Sequence, residues 1–214
     1  MTLVAISAAY GAGGSRIAPL LAAQLFVPFV DRALPMQAAA RVEFPQEDGE
    51  SDDRQAGWLE RVLQGFVGAE ASVTGPVATT SPLVSQDARR ESDALLARQA
   101  QSGRGVVLGR AAVAVLRDDP RVLRVRLYGS PERRIEQAVR TFGAEREVAA
   151  NAVRNLDRTH DAYLQQFYGA DIDDPALYHL MIDSTVVPVD ACADIIARAA
   201  RAHTAMLTPV SFGT

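Results

Sequence analysis

Three glycines within four residues follow the first apolar run of the chain. The run spans Leu3 to Ile6, the glycine loop comprises residues 10–15 (YGAGGS), and a helical pattern of apolar residues begins at Ser15. A loop between a buried strand and a helix directs several backbone N–H groups to one point, at the positive end of the helix dipole. The pattern predicts a phosphate site, and the alternative is a tight strand-to-helix turn. The expected phosphate-binding residues are Gly11, Ala12, Gly13, Gly14, Ser15 and Arg16.

The glycine loop departs from the phosphate-binding pattern GxxxxGK[ST] at two positions. Ser15 takes the hydroxyl position, where it would ligate Mg²⁺, but Gly14 stands in the lysine position and Ala8 in the first glycine position. The next cation, Arg16, lies one helical step further on, about 100° around the axis, so it does not simply inherit the reach of the lysine. A solvated arginine is the alternative interpretation of this residue.

The chain contains no lysine, so all 22 of its basic residues are arginines. A site that needs a cation must therefore use an arginine, a helix N-terminus, a histidine or a metal ion. The net charge of −4 disfavours general binding to nucleic acid or to an anionic membrane. The single cysteine, Cys192, excludes an internal disulfide and a metal site built from several cysteines.

The composition fits one folded domain, residues 1–214, because 48% of the residues are hydrophobic and 22% are charged. This balance excludes a disordered or collagen-like chain. No window approaches the roughly 20 uninterrupted apolar residues of a membrane helix, and the N-terminus runs directly into the first strand without a basic region or a cleavage site. We therefore expect a cytoplasmic protein, and the sequence leaves its oligomeric state open.

Strand and helix patterns alternate along the chain, which predicts an α/β fold with a parallel sheet covered by helices on both faces. One helix start is marked by Ser130 as N-cap, Pro131 at the first helical position and Glu132 in the first turn. Strands are predicted at 3–6, 26–31, 105–108, 122–128 and 180–182, and helices at 15–25, 34–42, 58–67, 85–101, 131–142, 145–167 and 189–202.

Several short segments, in this order, resemble the cytidylate kinase-like family of P-loop nucleoside monophosphate kinases. They are residues 4–7 (VAIS), the glycine loop, 29–32 (FVDR), 107–111 (VLGRA), 163–174 with 177–178 (LY), and 183–185 (DST). The resemblance covers residues 3 to about 197. It implies a P-loop NTPase fold with a five-stranded parallel sheet, a nucleoside-monophosphate-binding insert at about 31–84 and an arginine-rich helical lid at about 143–169.

The resemblance also implies roles for residues on the acceptor side. Arg110, at the end of a central strand, would hold the acceptor phosphate with a bidentate fork, and a structural salt bridge is the alternative. Asp31 ends the second strand, where the ligand crevice of an open α/β sheet lies, so it would orient the acceptor or else cap the following helix. Arg32 follows it in the same segment and is implied to bind the acceptor as well.

In the lid, Arg154 and Arg158 lie four residues apart on one helical face, with Asp157 beside them. A solvated, ion-paired helix is the alternative for each of these residues. His160 and Ala8 stand where the family usually has arginines, and a histidine would donate to phosphate only when suitably protonated. The implied catalytic residues are Arg110, Arg154 and Arg158, and the implied acceptor-binding residues are Asp31, Arg32, Arg110, Asp157 and His160.

The function implied by the resemblance is transfer of the γ-phosphoryl group of Mg-ATP to a nucleoside monophosphate, with CMP or dCMP favoured. Such transfer depends on positioning and on cations around the transferred group, which arginines can supply. One alternative is a P-loop kinase for another small-molecule acceptor. The other is a non-catalytic, nucleotide-binding regulatory module, which the missing lysine and His160 favour. In each case the expected partners are small-molecule nucleotides, without nucleic acid or membrane.

Overall fold

The computed structural model describes residues 2–31, 94, 96, 98, 100–109 and 111–207. Its strands are β1 (Leu3–Ala8), β2 (Phe29–Asp31), β3 (Gly105–Leu108), β4 (Val122–Tyr128) and β5 (Leu180–Asp183). Its helices are α1 (Gly14–Leu25), α2 (Ala112–Val115), α3 (Pro131–Phe142), α4 (Arg146–Tyr168) and α5 (Val189–Leu207), and a 3₁₀ turn spans Pro175–Leu177. Residues 94, 96, 98 and 100–102 are also helical.

The five strands form one sheet in the order β2-β3-β1-β4-β5, and every neighbouring pair is parallel. The predicted five-stranded parallel sheet is therefore confirmed. β1 lies at the centre, where Ser7 pairs in register with Arg126 of β4. Asp31 pairs with Leu108 at the carboxyl end of β2 and β3.

Two apolar clusters cover the two faces of the sheet, since successive side chains of a strand point to opposite faces. Val4 and Ile6 of β1 pack in the cluster that includes α1 and α5. Leu3 and Ala5 pack in the other cluster, which includes Val113 of α2 and Leu164 of α4. The continuous burial of β1 follows from helices on both sides.

The start and end of α3 follow local sequence signals. Ser130 Oγ accepts a hydrogen bond from the N–H of Arg133 at 3.4 Å, and Pro131 occupies the first turn. The helix ends at Gly143, which adopts a left-handed φ of 64°. Both ends agree with the predicted span of this helix.

The second strand is shorter than predicted. Phe26 adopts a left-handed φ of 53° and ends α1, with its N–H donating to the carbonyl of Ala23 at 3.2 Å. Residues 26–28 therefore serve to close the helix, and β2 begins only at Phe29. The predicted helices at 34–42 and 58–67 lie outside the described residues, as does most of the expected insert at 31–84.

Within the described ranges, none of the helices combines the length and the apolar character that a membrane crossing requires.

Candidate functional site

The glycine loop leaves the carboxyl end of β1 and folds directly into α1. The N–H of Ala9 still donates to Leu127 of the neighbouring strand at 3.0 Å, and the N–H of Ala12 turns back to the carbonyl of Ala9 at 3.0 Å. Gly13 then caps α1 with a left-handed φ of 72°. This is the strand–loop–helix order that the sequence predicts.

Two of the glycines are required by close packing as well as by backbone angle. A Cβ on Gly11, whose φ is 77°, would lie 2.4 Å from the carbonyl oxygen of Arg134. A Cβ on Gly14 would lie 2.5 Å from the Cβ of Ala8. The first residue of α1 can therefore approach the end of β1 closely, and the glycine loop can approach the backbone of α3.

Several donors at the start of α1 remain unused. The N–H groups of Gly13, Gly14 and Ser15 have no hydrogen-bond partner among the described residues, and no side chain caps the helix. Ser15 and Arg16 are exposed beside them. Unpaired N–H groups at a helix N-terminus form a ready anion site.

A cleft of about 540 Å³ adjoins this helix start. One wall is formed by Arg16 of α1, a second by Gln137, Arg140 and Thr141 of α3, and a third by residues 184–189 after β5. Ser184 Oγ donates to the carbonyl of Ala12 at 2.7 Å. That hydrogen bond joins the third wall directly to the glycine loop.

Charged groups hold the loop after β5 in place. Arg133 donates to Asp183 at 2.6 Å and to the hydroxyl of Thr185 at 3.0 Å. Burial pushes the pKa of Asp183 upward, yet the hydroxyl and N–H of Thr185, with Arg133, hold this pKa below its ordinary value. The carboxylate is therefore kept ionised and anchors this wall of the cleft.

Arg134 is a buried cation that the sequence interpretation missed. The residue is 5% exposed, and its guanidinium donates to the carbonyls of Gly129 at 2.9 Å and Tyr10 at 3.2 Å. It also forms a bidentate pair with Asp157 at 3.1 and 2.7 Å. One side chain thus joins the glycine loop, α3 and α4. The only sequence signal was an arginine in the first turn of the helix after β4.

A model of the cytidylate kinase-like family matches residues 3–186. This chain belongs to the cytidylate kinase-like family. Its parallel sheet and glycine loop give it the α/β fold of P-loop kinases, as the sequence predicts.

Several solved structures are similar to this chain at low sequence identity. A crystal structure of an uncharacterized protein from Eubacterium ventriosum is 16% identical with a TM-score of 0.63, covering 94% of this chain and 99% of that one. A sugar kinase from Janibacter sp. is 16% identical with a TM-score of 0.47, covering 97% and 99%. Shikimate kinase from Acinetobacter baumannii is 14% identical with a TM-score of 0.45, covering 94% of each chain. No curated protein matches this chain.

The residues that the resemblance assigns to the lid of this cytidylate kinase-like chain lie on α4. Arg154 and Arg158 are exposed, and Arg154 donates to Asn151 at 2.5 Å. Asp157 faces α3 and pairs with Arg134 rather than with its helical neighbours. His160 is 4% exposed, so it lies inside the protein and not on the solvated face.

The acceptor side of the family site is described only in part. Asp31 ends β2 at the carboxyl edge of the sheet, where the acceptor crevice was expected. Arg32 and Arg110 lie outside the described residues. The structure therefore brings together the glycine loop, Arg16 and the cleft, and it leaves the acceptor-binding roles as predictions.

Proposed function

We propose that the protein transfers the γ-phosphoryl group of Mg-ATP to a nucleoside monophosphate, with CMP or dCMP as the favoured acceptor. The observation that carries the proposal is the set of unused N–H groups at Gly13, Gly14 and Ser15, opening beside a cleft of about 540 Å³. Clefts of roughly 300–1,000 Å³ are of the size that binds small molecules. In this proposal the β-phosphate of ATP lies on the glycine loop and the adenosine of ATP lies in the cleft.

The donor set fits the phosphates of ATP. Ser15 places an exposed hydroxyl on the second residue of α1, where it would hold Mg²⁺ together with phosphate oxygens. When bound, the ion neutralises charge on the β- and γ-phosphates. Arg16 and Arg140 line the cleft and supply cations close to the nucleotide. Cytoplasmic location and small-molecule nucleotide partners belong to the same proposal.

Lid arginines replace the missing lysine in this proposal. Negative charge on the transferred phosphoryl group must be stabilised, and a preorganised cation does this most effectively. The ion pair between Arg134 and Asp157 holds α4 next to the glycine loop, because Arg134 also donates to Tyr10. Arg154 and Arg158 lie on either side of Asp157 in sequence, so they are carried on the helix that this pair positions.

Arg110 and Arg32 are proposed to bind the acceptor phosphate, with Asp31, Asp157 and His160 orienting the acceptor. Asp31 ends its strand at the carboxyl edge of the sheet, where the ligands of open α/β folds bind. Asp157 acts through its pair with Arg134 in this arrangement.

A non-catalytic nucleotide-binding module is the second candidate, and the engagement of Arg134 favours it. This buried cation near the loop is already paired with Asp157 and two carbonyls, and the chain holds no lysine. A protein of this kind would bind Mg-ATP at the same loop and transfer nothing. A kinase for another small-molecule acceptor would differ only on the acceptor side.

A coupled ADP-release assay tests the proposal, run with Mg-ATP and a panel of nucleoside monophosphates beside calorimetry of ATP binding. We expect ATP binding and the fastest turnover with CMP or dCMP. Binding without turnover on any acceptor supports the regulatory module, and turnover only with other small molecules supports the other kinase. Absence of ATP binding contradicts all three. Gly14→Val, which places a larger side chain against Ala8, should weaken ATP binding, and Ala23→Val, which enlarges an exposed side chain of the same helix, serves as its control.

A further inference from the structure

Two buried polar side chains meet on the central strands of the sheet, away from the nucleotide cleft. Ser7 is 0% exposed and Arg126 is 6% exposed. The two residues are register partners on β1 and β4, and Arg126 Nη1 donates to Ser7 Oγ at 2.9 Å. Both lie near the carboxyl ends of their strands.

The buried charge of Arg126 has no counter-charge in the described part of the chain. Ser7 is its one hydrogen-bond partner there, and no carboxylate forms an ion pair with it. A guanidinium carries five N–H donors. Arg134, buried to the same degree, instead bonds to two carbonyls and to both oxygens of a carboxylate.

Tyr178 adjoins this pair and does not supply the missing charge. Its hydroxyl donates to the carbonyl of Ile172 at 2.8 Å. Burial raises the pKa of the Tyr178 phenol, although the charge of Arg126 and the hydroxyl of Ser7 oppose that rise. The phenol is therefore neutral at physiological pH and is not a counter-charge for Arg126.

A buried cation without a counter-charge lowers the stability of the folded state unless it binds a ligand. An unpaired buried charge destabilises a fold, and an apolar residue of similar volume would pack there without this penalty. The guanidinium of Arg126, which is held by Ser7, is in contrast well suited to a ligand that accepts two parallel hydrogen bonds.

The position of Arg126 separates it from the phosphates of ATP. By strand alternation Ser7 points to the same face as Leu3 and Ala5, the face that carries α2 and α4. The glycine loop leads into α1, which packs on the opposite face. A ligand at Arg126 is therefore a group other than the one bound by the loop.

We propose that Arg126, held by Ser7, binds an oxyanion of the phosphoryl acceptor at the carboxyl edge of β1 and β4. The oxyanion is a phosphate monoester or a carboxylate, since both accept a bidentate guanidinium. This inference rests on the proposed transfer reaction. It gives the acceptor a contact that is separate from Arg110.

Arg124 provides a matched control on the same face of the same strand. Its Nε donates to the carbonyl of Leu177 at 2.8 Å, and its Nη1 donates to the carbonyl of Arg117 at 2.7 Å. Arg124 is thus a structural arginine whose donors are used by the backbone. Replacing each arginine by methionine removes one guanidinium from β4 and preserves most of the side-chain volume.

The experiment uses the full chain with Mg²⁺ and a non-hydrolysable ATP analogue at saturation, so that the glycine loop is filled. Inorganic phosphate, CMP and malonate are then titrated by calorimetry into the wild type, Arg126→Met, Arg126→Lys and Arg124→Met. We expect Arg126→Met to weaken binding of the preferred oxyanion at least about tenfold, as for loss of a charged hydrogen bond. Arg126→Lys should be intermediate, and Arg124→Met should remain within about twofold of the wild type. Preference for CMP and phosphate identifies a phosphate monoester, and preference for malonate identifies a carboxylate.

Thermal unfolding without ligand is the second readout. Arg126→Met should be at least as stable as the wild type, whereas Arg124→Met should be less stable, because it leaves two carbonyls without donors. Unchanged oxyanion binding in Arg126→Met overturns the proposal, as does a wild type that binds none of the three probes. Failure of Arg126→Met to fold would also overturn it, since the charge would then be structural.

The same experiment distinguishes failure of the proposed transfer reaction from failure of the inference about Arg126. A wild type that does not bind the ATP analogue contradicts the proposed function, and the same titrations without the analogue then decide the role of Arg126 alone. If the protein binds the analogue and the Arg126 variants bind the oxyanion as tightly as the wild type, this inference is wrong and the proposed function still stands.

Discussion

Arg134 and Asp157 form a bidentate ion pair across α3 and α4, with the shorter contact at 2.7 Å. Arg134 is 5% exposed and also donates to the glycine loop through the carbonyl of Tyr10. Apolar contacts of Tyr10, Ala149 and Val153 surround the same junction. The position of α4 relative to the loop therefore depends on a charge pair inside an apolar cluster.

Removing this ion pair should destabilise the protein strongly. Arg134→Met leaves Asp157 and two carbonyls without their donor, so we expect the free energy of unfolding to fall by roughly 3 kcal/mol. Arg133→Met is the control, because its pair with Asp183 has one half-exposed partner and should contribute less than about 1 kcal/mol. Urea unfolding monitored by circular dichroism measures both. A similar decrease in the free energy of unfolding in the two variants would show that burial does not make the Arg134 pair more stabilising than an exposed pair.

Replacement of Gly11 should be more damaging than backbone strain alone predicts. Gly11→Ala and Gly143→Ala both place alanine at a left-handed φ, 77° and 64°, which costs roughly 1–2 kcal/mol. Only at Gly11 does the new Cβ also meet backbone, the carbonyl oxygen of Arg134 at 2.4 Å, since Gly143 has open space. We expect Gly11→Ala to have the lower melting temperature and to lose ATP binding. Equal melting temperatures would mean that the loop and α3 separate freely.

Stability should fall as the pH drops below about 6.5 because of two histidines. The rings of His179 and His203 lie 5.5 Å apart, and His179 Nδ1 accepts the N–H of Arg124 at 3.1 Å. Burial and then the charge of Arg124 lower the pKa of both histidines from 6.5. The unfolded chain therefore binds protons that the folded chain does not, so stability is full above pH 6.5 and declines toward the folded pKa values. Melting temperatures from pH 7.5 to 5 should show this decline, and His203→Gln should reduce it; an identical decline in the variant would assign it to other groups.

Lid arginines should contribute to turnover. Arg154→Ala or Arg158→Ala is expected to lower kcat at least about tenfold, equivalent to ~1.4 kcal/mol of transition-state stabilisation, with ATP binding largely intact. Arg198→Ala removes an exposed arginine from α5 and is the control. Paired calorimetry and steady-state kinetics measure the effect. Full turnover in both lid variants would assign the cation to another residue, with Arg16 the next candidate.

Arg110 should affect the acceptor more than ATP. Arg110→Lys keeps the charge and loses the planar fork, so we expect a higher acceptor KM or a lower kcat at nearly unchanged ATP affinity. Arg104→Lys is the control at the opposite end of β3, where Arg104 donates to the carbonyl of Phe26 at 3.4 Å. Steady-state kinetics with varied acceptor decide the matter. An unaltered acceptor response in Arg110→Lys would make Arg110 a structural residue.

The sheet could be predicted from sequence because its signals are local. The strands are short and mostly apolar, although β4 carries two arginines, and the caps at Ser130 and Gly143 mark the ends of α3. The error at Phe26 arose because an apolar residue in a left-handed cap resembles the start of a strand. Propensity does not distinguish these two uses of phenylalanine.

The loop was predictable from its glycines, but its supports were not. Arg134 reaches Tyr10 across 124 positions of sequence, and His179, just before β5, meets His203 within α5. No periodic pattern connects such pairs, because they form only when packing brings separate elements together. Arg126 was similarly hidden within a strand pattern, where its burial depends on the helices that cover the sheet.

The hydrogen bond between Ser184 and Ala12 spans 172 positions of sequence. During synthesis the glycine loop is made before the hydroxyl that supports it, with β3, α3, β4 and α4 between them. β1 likewise waits for β3 and β4, its partners on either side. A nascent chain therefore holds the glycine loop without this hydrogen bond until β5 and Ser184 have been synthesised.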